Sequence, residues 1–163
     1  MTRNTMIALA AGGSAALLAG AFEFQLLGYA PCPMCLWQRW PHAAAIIIGI
    51  LAVAIPGRFM PALGAIAAAA TGAIGVYHTG VERDWWEGPA SCSGGNGLDG
   101  LSGADLLAVE GPAIVMCDQV AWEFLSLSMA SWNALVSFAL MAVWVTALRL
   151  SAGSKATGSS RTV

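Results

Sequence analysis

The sequence predicts an all-α integral membrane protein, a four-transmembrane-helix bundle with two periplasmic loops and both termini in the cytoplasm. Of its 163 residues, 58% are hydrophobic and only 10% are charged, whereas a soluble domain carries roughly 25% charged residues. The apolar residues are grouped into long stretches, and a helix of ~20 apolar residues crosses a hydrocarbon core ~30 Å thick. The net charge of −2 argues against a nucleic-acid partner, because nucleic-acid binding requires a basic surface.

The apolar stretches predict four spans in a single membrane domain, residues 1–163. The spans lie at about residues 6–27, 40–56, 60–81 and 131–150. The second is the least regular, because its apolar part, 43–55, is long enough only when it is extended back toward Arg39. Glycine and alanine are frequent in the spans, and such small residues let membrane helices approach closely.

The segments outside these spans are predicted to be loops and a tail. They are two periplasmic loops at about residues 28–39 and 82–130, and a disordered cytoplasmic tail at 151–163. Within the long loop, residues 98–110 mix leucine with acidic residues. That mixture fits either a short amphipathic helix on the membrane surface or a solvated loop.

Basic residues predict the orientation of the bundle. With an even number of spans, five of them fall on one side, which the positive-inside rule makes cytoplasmic: Arg3, Arg58, Arg149, Lys155 and Arg161. The first apolar run, with Ala19-Gly20-Ala21, is similar to a cleavable signal peptide. However, it continues through Phe22 to Leu27, beyond the usual length of a signal. We therefore expect it to remain as the first span.

All four cysteines, Cys32, Cys35, Cys92 and Cys117, lie on the predicted periplasmic side. That distribution suits an oxidising compartment, and two inert structural disulfides would share it. A metal site is not expected, because the chain has one C-x-x-C, no second close pair and two histidines, a poor match to zinc-site spacing.

The spacing Cys32-Pro-Met-Cys35 favours a reversible redox couple. A disulfide across two residues closes a small loop and adds little stability, and C-x-x-C is the common spacing of redox-active thiols. If the pair begins a helix, the positive helix end favours a thiolate, and Arg39 lies one turn after Cys35. Arg39 could stabilise a thiolate or an anionic reduced acceptor, or it could extend to the lipid headgroups. Pro41 leaves open whether the helix is kinked or begins there.

A thiol couple of this kind needs an electron acceptor. The sequence lacks the ligand patterns of a flavin, a haem or an iron–sulfur cluster. By elimination, a lipid-soluble quinone is the expected acceptor.

Four motifs, in order along the chain, resemble the disulfide bond formation protein B (DsbB) family. They are Tyr29-Ala-Pro-Cys-Pro-Met-Cys-Leu-Trp-Gln-Arg39, Tyr77-His-Thr-Gly-Val-Glu82, Trp86-Glu-Gly-Pro-Ala-Ser-Cys92 and Cys117-Asp-Gln-Val-Ala-Trp-Glu-Phe-Leu-Ser-Leu-Ser-Met-Ala-Ser-Trp-Asn133. Glu23 in the first span also looks like the family, and the resemblance covers nearly the whole chain. Ser126 is a departure, since the family pattern predicts glycine there.

The resemblance implies a multi-pass enzyme of the bacterial inner membrane that reoxidises a periplasmic DsbA-like dithiol oxidase and so supports disulfide bond formation. Cys92 of a Cys92–Cys117 disulfide would form the mixed disulfide with that partner. Cys117 would then exchange with Cys32. Cys35, beside Arg39, would pass the electrons to ubiquinone or menaquinone in the membrane.

His78, near the outer end of the third span, would line the quinone site or simply cap a helix end. A related possibility is an enzyme of the vitamin K epoxide reductase type, in which we expect the C-x-x-C on a late span, after the loop pair. Here the C-x-x-C comes first, between spans one and two, which favours the DsbB-like hypothesis. The quinone, the resting disulfide pairing, the oligomeric state and the choice between a general oxidase and a dedicated paralogue stay open.

Overall fold

The computed structural model of the protein describes residues 1–90, Cys92 and residues 115–158. It contains four long helices: α1 (Arg3–Leu26), α2 (Pro33–Ala54), α3 (Phe59–Glu82) and α4 (Met129–Gly158). Each includes a segment long and apolar enough to cross a membrane. The predicted four-helix membrane fold is therefore confirmed.

The helices pack in a ring, since α1 contacts α2, α2 contacts α3, α3 contacts α4, and α4 contacts α1. The centre of one half of the bundle is Trp144 of α4, whose side chain is fully buried against Ile7, Ala52 and Ala68 of the other helices. Gly64 of α3 allows this packing, because a Cβ at that position would lie 2.5 Å from the indole ring. Small residues thus set the distance between α3 and α4.

The second helix begins earlier than predicted. Helix α2 starts at Pro33, inside the expected loop at 28–39 and before the expected span at 40–56. Cys32 caps the helix by accepting a hydrogen bond at Sγ from the Cys35 amide, 3.2 Å away, and proline suits the first helical position. Pro41 lies inside the helix, so its missing N–H does not end the helix there.

The fourth helix extends beyond the predicted span. Its backbone is helical through Gly158, whereas the disordered tail was expected from residue 151. Ser151 is buried, and its hydroxyl accepts a 3.0 Å hydrogen bond from Arg3 Nε. Arg3 also donates to the Ala52 carbonyl at the end of α2, at 2.8 Å. The guanidinium therefore joins three helices at this end of the bundle.

A short hairpin precedes α4. Strands β1 (Glu123–Phe124) and β2 (Leu127–Ser128) pair antiparallel. The two turn residues between them, Leu125 and Ser126, have φ angles of 53° and 61°. Such left-handed values are typical of a two-residue hairpin turn and favour glycine, which explains the glycine expected in place of Ser126. The alternative structures considered for residues 98–110 lie outside the described residues.

The contact between Gly64 and Trp144 generates a stability prediction. Gly64→Ala is expected to lower the free energy of unfolding by about 1–3 kcal/mol, the usual cost of overpacking a core. Gly12→Ala is the matched control, because a Cβ there meets nothing within 4 Å. Unfolding of both variants in detergent micelles measures the difference. Equal stability of the two would show that the α3–α4 distance is not set at Gly64.

Candidate active site

An apolar cavity of about 470 Å³ lies among the four helices and the segment that follows residue 115. Most of its wall is aliphatic or aromatic. The polar and sulfur-containing side chains in the wall are Tyr29, Cys32, Cys35, Gln38, Arg39, His42, His78, Glu82, Met116, Gln119, Met129 and Asn133. The predicted redox pair thus borders a cavity that suits a largely apolar ligand carrying a few hydrogen-bonding groups.

Three of the four cysteines are nearly inaccessible to solvent, and Cys35 is half-buried against them. Cys32, Cys92 and Cys117 are 2%, 1% and 0% exposed and belong to one buried cluster that includes Val81. Cys92 and Cys117 form a disulfide, while the Cys32 thiol donates a hydrogen bond to Cys35 Sγ over 2.9 Å. The structure therefore brings together the four cysteines that the sequence singled out, although they lie far apart in the chain.

The two sulfur atoms of the C-x-x-C pair are not equivalent. The hydrogen bond to Cys35, with burial as a second cause, raises the pKa of the Cys32 thiol well above its ordinary value. Cys32 is the donor within the pair. Cys35 is the acceptor and borders the cavity.

His78 lies beside Cys32 and Cys35. Its Nε2 is 3.6 Å from Cys32 Sγ, and its Nδ1 is 2.9 Å from Gln38 Nε2. The ring also interacts with the backbone of Cys117, so it contacts both cysteine pairs. The sequence predicted that His78 lines the ligand site or caps a helix end, and the structure puts its side chain in the cavity wall, 3% exposed.

Arg39 binds α1 rather than lying free. Its guanidinium donates to Gln25 Oε1 at 2.8 Å and to the Ala21 carbonyl at 3.3 Å, and it lies over the ring of Phe22. Arg39 Nε is buried and has no hydrogen-bond partner among the described residues. Because Arg39 borders the cavity, it brings a positive charge and an unused donor to this site.

A buried polar network behind the cavity was not predicted from the sequence. Gln38 joins α2 to α3 through His78 and to α4 through Asn133, whose Nδ2 lies 2.6 Å from Gln38 Oε1. Asn133 also bonds His42 and Thr71. The available signal was the presence of uncharged polar residues inside apolar spans, because such residues in membrane helices mark functional positions.

Three side chains at this site are also possible metal ligands. The ligand atoms of Cys32, Cys35 and His78 lie within 4.8 Å of one another, a spacing that could hold a metal ion. Two of the three groups are the redox pair itself. The expectation of no metal stays a prediction.

Two sets of contacts hold the Cys117 segment over the helices. Ser128 caps α4 by accepting the Ser131 amide at 3.2 Å, and its hydroxyl donates to the buried carboxylate of Glu82. A chain of aromatic contacts runs alongside. Its rings are those of Tyr29, Phe24, Trp122, Phe124 and Trp132, with neighbouring centroids between 5.2 and 6.3 Å apart.

Comparison with known proteins gives consistent matches. A family model described as disulfide bond formation protein DsbB matches residues 3–147. A curated protein named disulfide bond formation protein B from Xanthomonas oryzae pv. oryzae (strain MAFF 311018) is 35% identical over 162 residues, which is 90% of this chain and 87% of the relative. A protein of the same name from Aromatoleum aromaticum is 30% identical over 154 residues, 88% of this chain and 89% of the relative. No solved structure gives a significant match.

The hydrogen bonds of Ser128 generate a prediction. Ser128→Ala is expected to lower the free energy of unfolding by about 1–3 kcal/mol, because the buried Glu82 carboxylate loses a donor and α4 loses its cap. The matched control is Ser14→Ala, since the Ser14 hydroxyl is buried without a hydrogen-bond partner in the described part of the chain. That variant should be as stable as the parent or more so. Unfolding in detergent compares the two, and equal losses would mean that the Ser128 contacts are not stabilising.

Proposed function

The chain belongs to the disulfide bond formation protein DsbB family, and from this premise we propose that it is a thiol:quinone oxidoreductase of the bacterial inner membrane that reoxidises a periplasmic DsbA-like oxidase. Family membership establishes a multi-pass membrane protein with an oxidoreductase role in disulfide bond formation. One observation carries the finer proposal. Both cysteine pairs are packed in a single buried cluster, and one pair borders an apolar cavity among the helices.

The first half of the proposed reaction takes two electrons from the partner. A thiolate of the reduced oxidase attacks Cys92, which forms a mixed disulfide and releases Cys117 as a thiolate. The second thiolate of the oxidase then displaces Cys92, so the oxidase leaves with a disulfide. Cys92 and Cys117 now hold the two electrons. Attack on sulfur by a thiolate is the required chemistry at each step.

The second half moves these electrons to the pair beside the cavity. Cys117 attacks Cys32 of a Cys32–Cys35 disulfide and releases Cys35 as a thiolate, after which Cys92 displaces Cys32. The Cys92–Cys117 disulfide is thereby restored and the first pair is reduced. This half ends with Cys92–Cys117 as a disulfide and with Cys32 and Cys35 as thiols, the pairing that the structure has.

The cavity suits a quinone headgroup, which is an apolar ring with two carbonyl acceptors. A bound ubiquinone or menaquinone supplies an acceptor for two electrons and two protons, the amount released when the Cys32–Cys35 disulfide forms again. The unpartnered Nε–H of Arg39 is a donor for a carbonyl oxygen. Cys35 lies one helical turn before Arg39, so the sulfur that delivers the electrons and the proposed binding donor share one wall of the cavity.

The proposal is tested by following quinone reduction with purified protein in detergent and a reduced DsbA-like oxidase. Wild-type protein is expected to turn over. Cys35→Ala should abolish quinone reduction. Cys92→Ser should abolish oxidation of the partner while leaving a chemically reduced Cys32–Cys35 pair able to reduce quinone. Absence of wild-type turnover with several quinones and a competent partner, or full activity of either variant, would contradict the proposal.

Arg39 generates a separate prediction. Removing a charged hydrogen-bond donor costs about 1.5–3 kcal/mol, so Arg39→Ala is expected to raise the apparent KM for quinone by roughly 10- to 100-fold. Both disulfides should still form, as counted by thiol titration. Arg58→Ala is the control, because Arg58 is exposed and lies outside the cavity wall. An unchanged KM in folded Arg39→Ala protein would remove Arg39 from the quinone site.

A further inference from the structure

We propose that a buried chain of hydrogen bonds, all donated in the same direction, ends on the sulfur of Cys35 and stabilises its thiolate. The members are, in order, His42, Asn133, Gln38, His78, Cys32 and Cys35. Under this proposal His42, Asn133 and Gln38 are positioning residues, which act on the redox pair through His78. The inference rests on the proposed function only in that it assigns the Cys35 thiolate as the group that delivers electrons.

The orientation of the Gln38 amide follows from a backbone contact. Gln38 Nε2 lies 3.3 Å from the Met34 carbonyl oxygen. A carbonyl oxygen only accepts hydrogen bonds, so the atom that faces it must be the amide nitrogen. The same nitrogen lies 2.9 Å from His78 Nδ1. Gln38 is therefore a donor to His78.

The orientation of the Asn133 amide follows from a second carbonyl. Thr71 donates its one hydroxyl hydrogen to the backbone carbonyl oxygen of Gln38, 3.1 Å away. Thr71 can then only accept from Asn133, at 3.2 Å, which identifies the facing atom as the amide nitrogen. Asn133 Oδ1 therefore faces His42 Nε2, at 2.9 Å. Because this oxygen only accepts, His42 Nε2 carries a hydrogen and is the first donor of the chain.

The orientation of the Gln38 amide determines the tautomer of His78. Its Nδ1 accepts from Gln38, so the neutral ring carries its proton on Nε2. This nitrogen lies 3.6 Å from Cys32 Sγ and 3.8 Å from Glu82 Oε1, so Cys32 shares the donor with the carboxylate. Cys32 Sγ also accepts the Cys35 amide, and its thiol donates to Cys35 Sγ. Along the chain from His42 to Cys35, each hydrogen bond is donated toward Cys35, and hydrogen bonds aligned in this way strengthen one another at low dielectric. Negative charge at the accepting end is therefore stabilised.

Other charged or titratable groups also face the pair. Arg39 on α2 favours negative charge on Cys35, and Glu82 on α3 opposes it. The remaining titratable side chains of the cavity wall are Tyr29, His42 and His78, and α4 contributes none among the described residues. Because Arg39 and Glu82 are unchanged in every variant below, differences between variants report the hydrogen-bond chain.

The test measures the alkylation rate of Cys35 against pH in reduced full-length protein without quinone or partner, by mass spectrometry of the Cys35 peptide. Gln38→Met removes the donor to His78, and it is expected to move the pH midpoint up by about 0.5–1 unit, which slows alkylation below the midpoint roughly 3- to 10-fold. Asn133→Leu, one link further away, should have a smaller effect in the same direction. Thr71→Val should resemble Asn133→Leu. Thr146→Val is the control and should match wild type, because the Thr146 hydroxyl bonds the Ala142 carbonyl and no other group in the described part of the chain.

The ¹⁵N resonances of the His78 ring give a readout that a loss of packing alone would not produce. In wild-type protein Nε2 should be the protonated nitrogen, and Gln38→Met should mix the two tautomers. A proton on Nδ1 in wild type overturns the proposal, and this test holds even if Gln38→Met fails to fold. An unchanged pH midpoint in folded Gln38→Met protein also overturns it. Neither readout uses quinone, so a wild type that passes both but reduces no quinone contradicts the proposed function alone.

Discussion

The side chain of Gln38 joins α2, α3 and α4 by hydrogen bonds, and the position of the site residues depends on these bonds. Within hydrocarbon there is no water to satisfy a buried amide, so its partners must come from the protein. Gln38 is 6% exposed and bonds Met34 on its own helix, His78 on α3 and Asn133 on α4. These bonds fix the rotation of three helices relative to one another. Cys35, one turn earlier on α2, is thereby held beside His78 and the cavity.

Burial of the sulfur atoms has a chemical consequence. Cys92, Cys117 and Cys32 are shielded from water, while Cys35 is only half-buried and borders an apolar space. Exclusion of water strengthens the electrostatic contacts of a thiolate and prevents side reactions. The reactive end of the proposed relay is thus separated from solvent by the Cys117 segment, which Ser128 and the aromatic contacts hold against the helices.

The sequence was sufficient for the spans because a membrane helix must be predominantly apolar over ~20 consecutive residues. The four cysteines and Arg39 were singled out from their chemistry and position, and His78 came with the family resemblance. The start of α2 at the C-x-x-C pair was one of two alternatives that stayed open, because hydropathy does not register a cap made by a cysteine and a proline. The polar network was missed because it forms only when each helix is rotated about its axis so that the polar side chains meet. The residue pattern of a single helix does not show which neighbouring helix its polar side chains face.

Under the proposed function, the cavity beside Cys35 and Arg39 receives the quinone. Photolabelling of the purified protein with a benzoquinone analogue that carries an azido group tests it most directly. If quinone binds in this cavity, the label should fall on residues of the cavity wall, such as Leu17, Phe24 or His42, and excess unlabelled quinone should prevent the labelling. Label confined to lipid-facing residues such as Ile47 and Ile50, or undiminished by excess quinone, would contradict the claim.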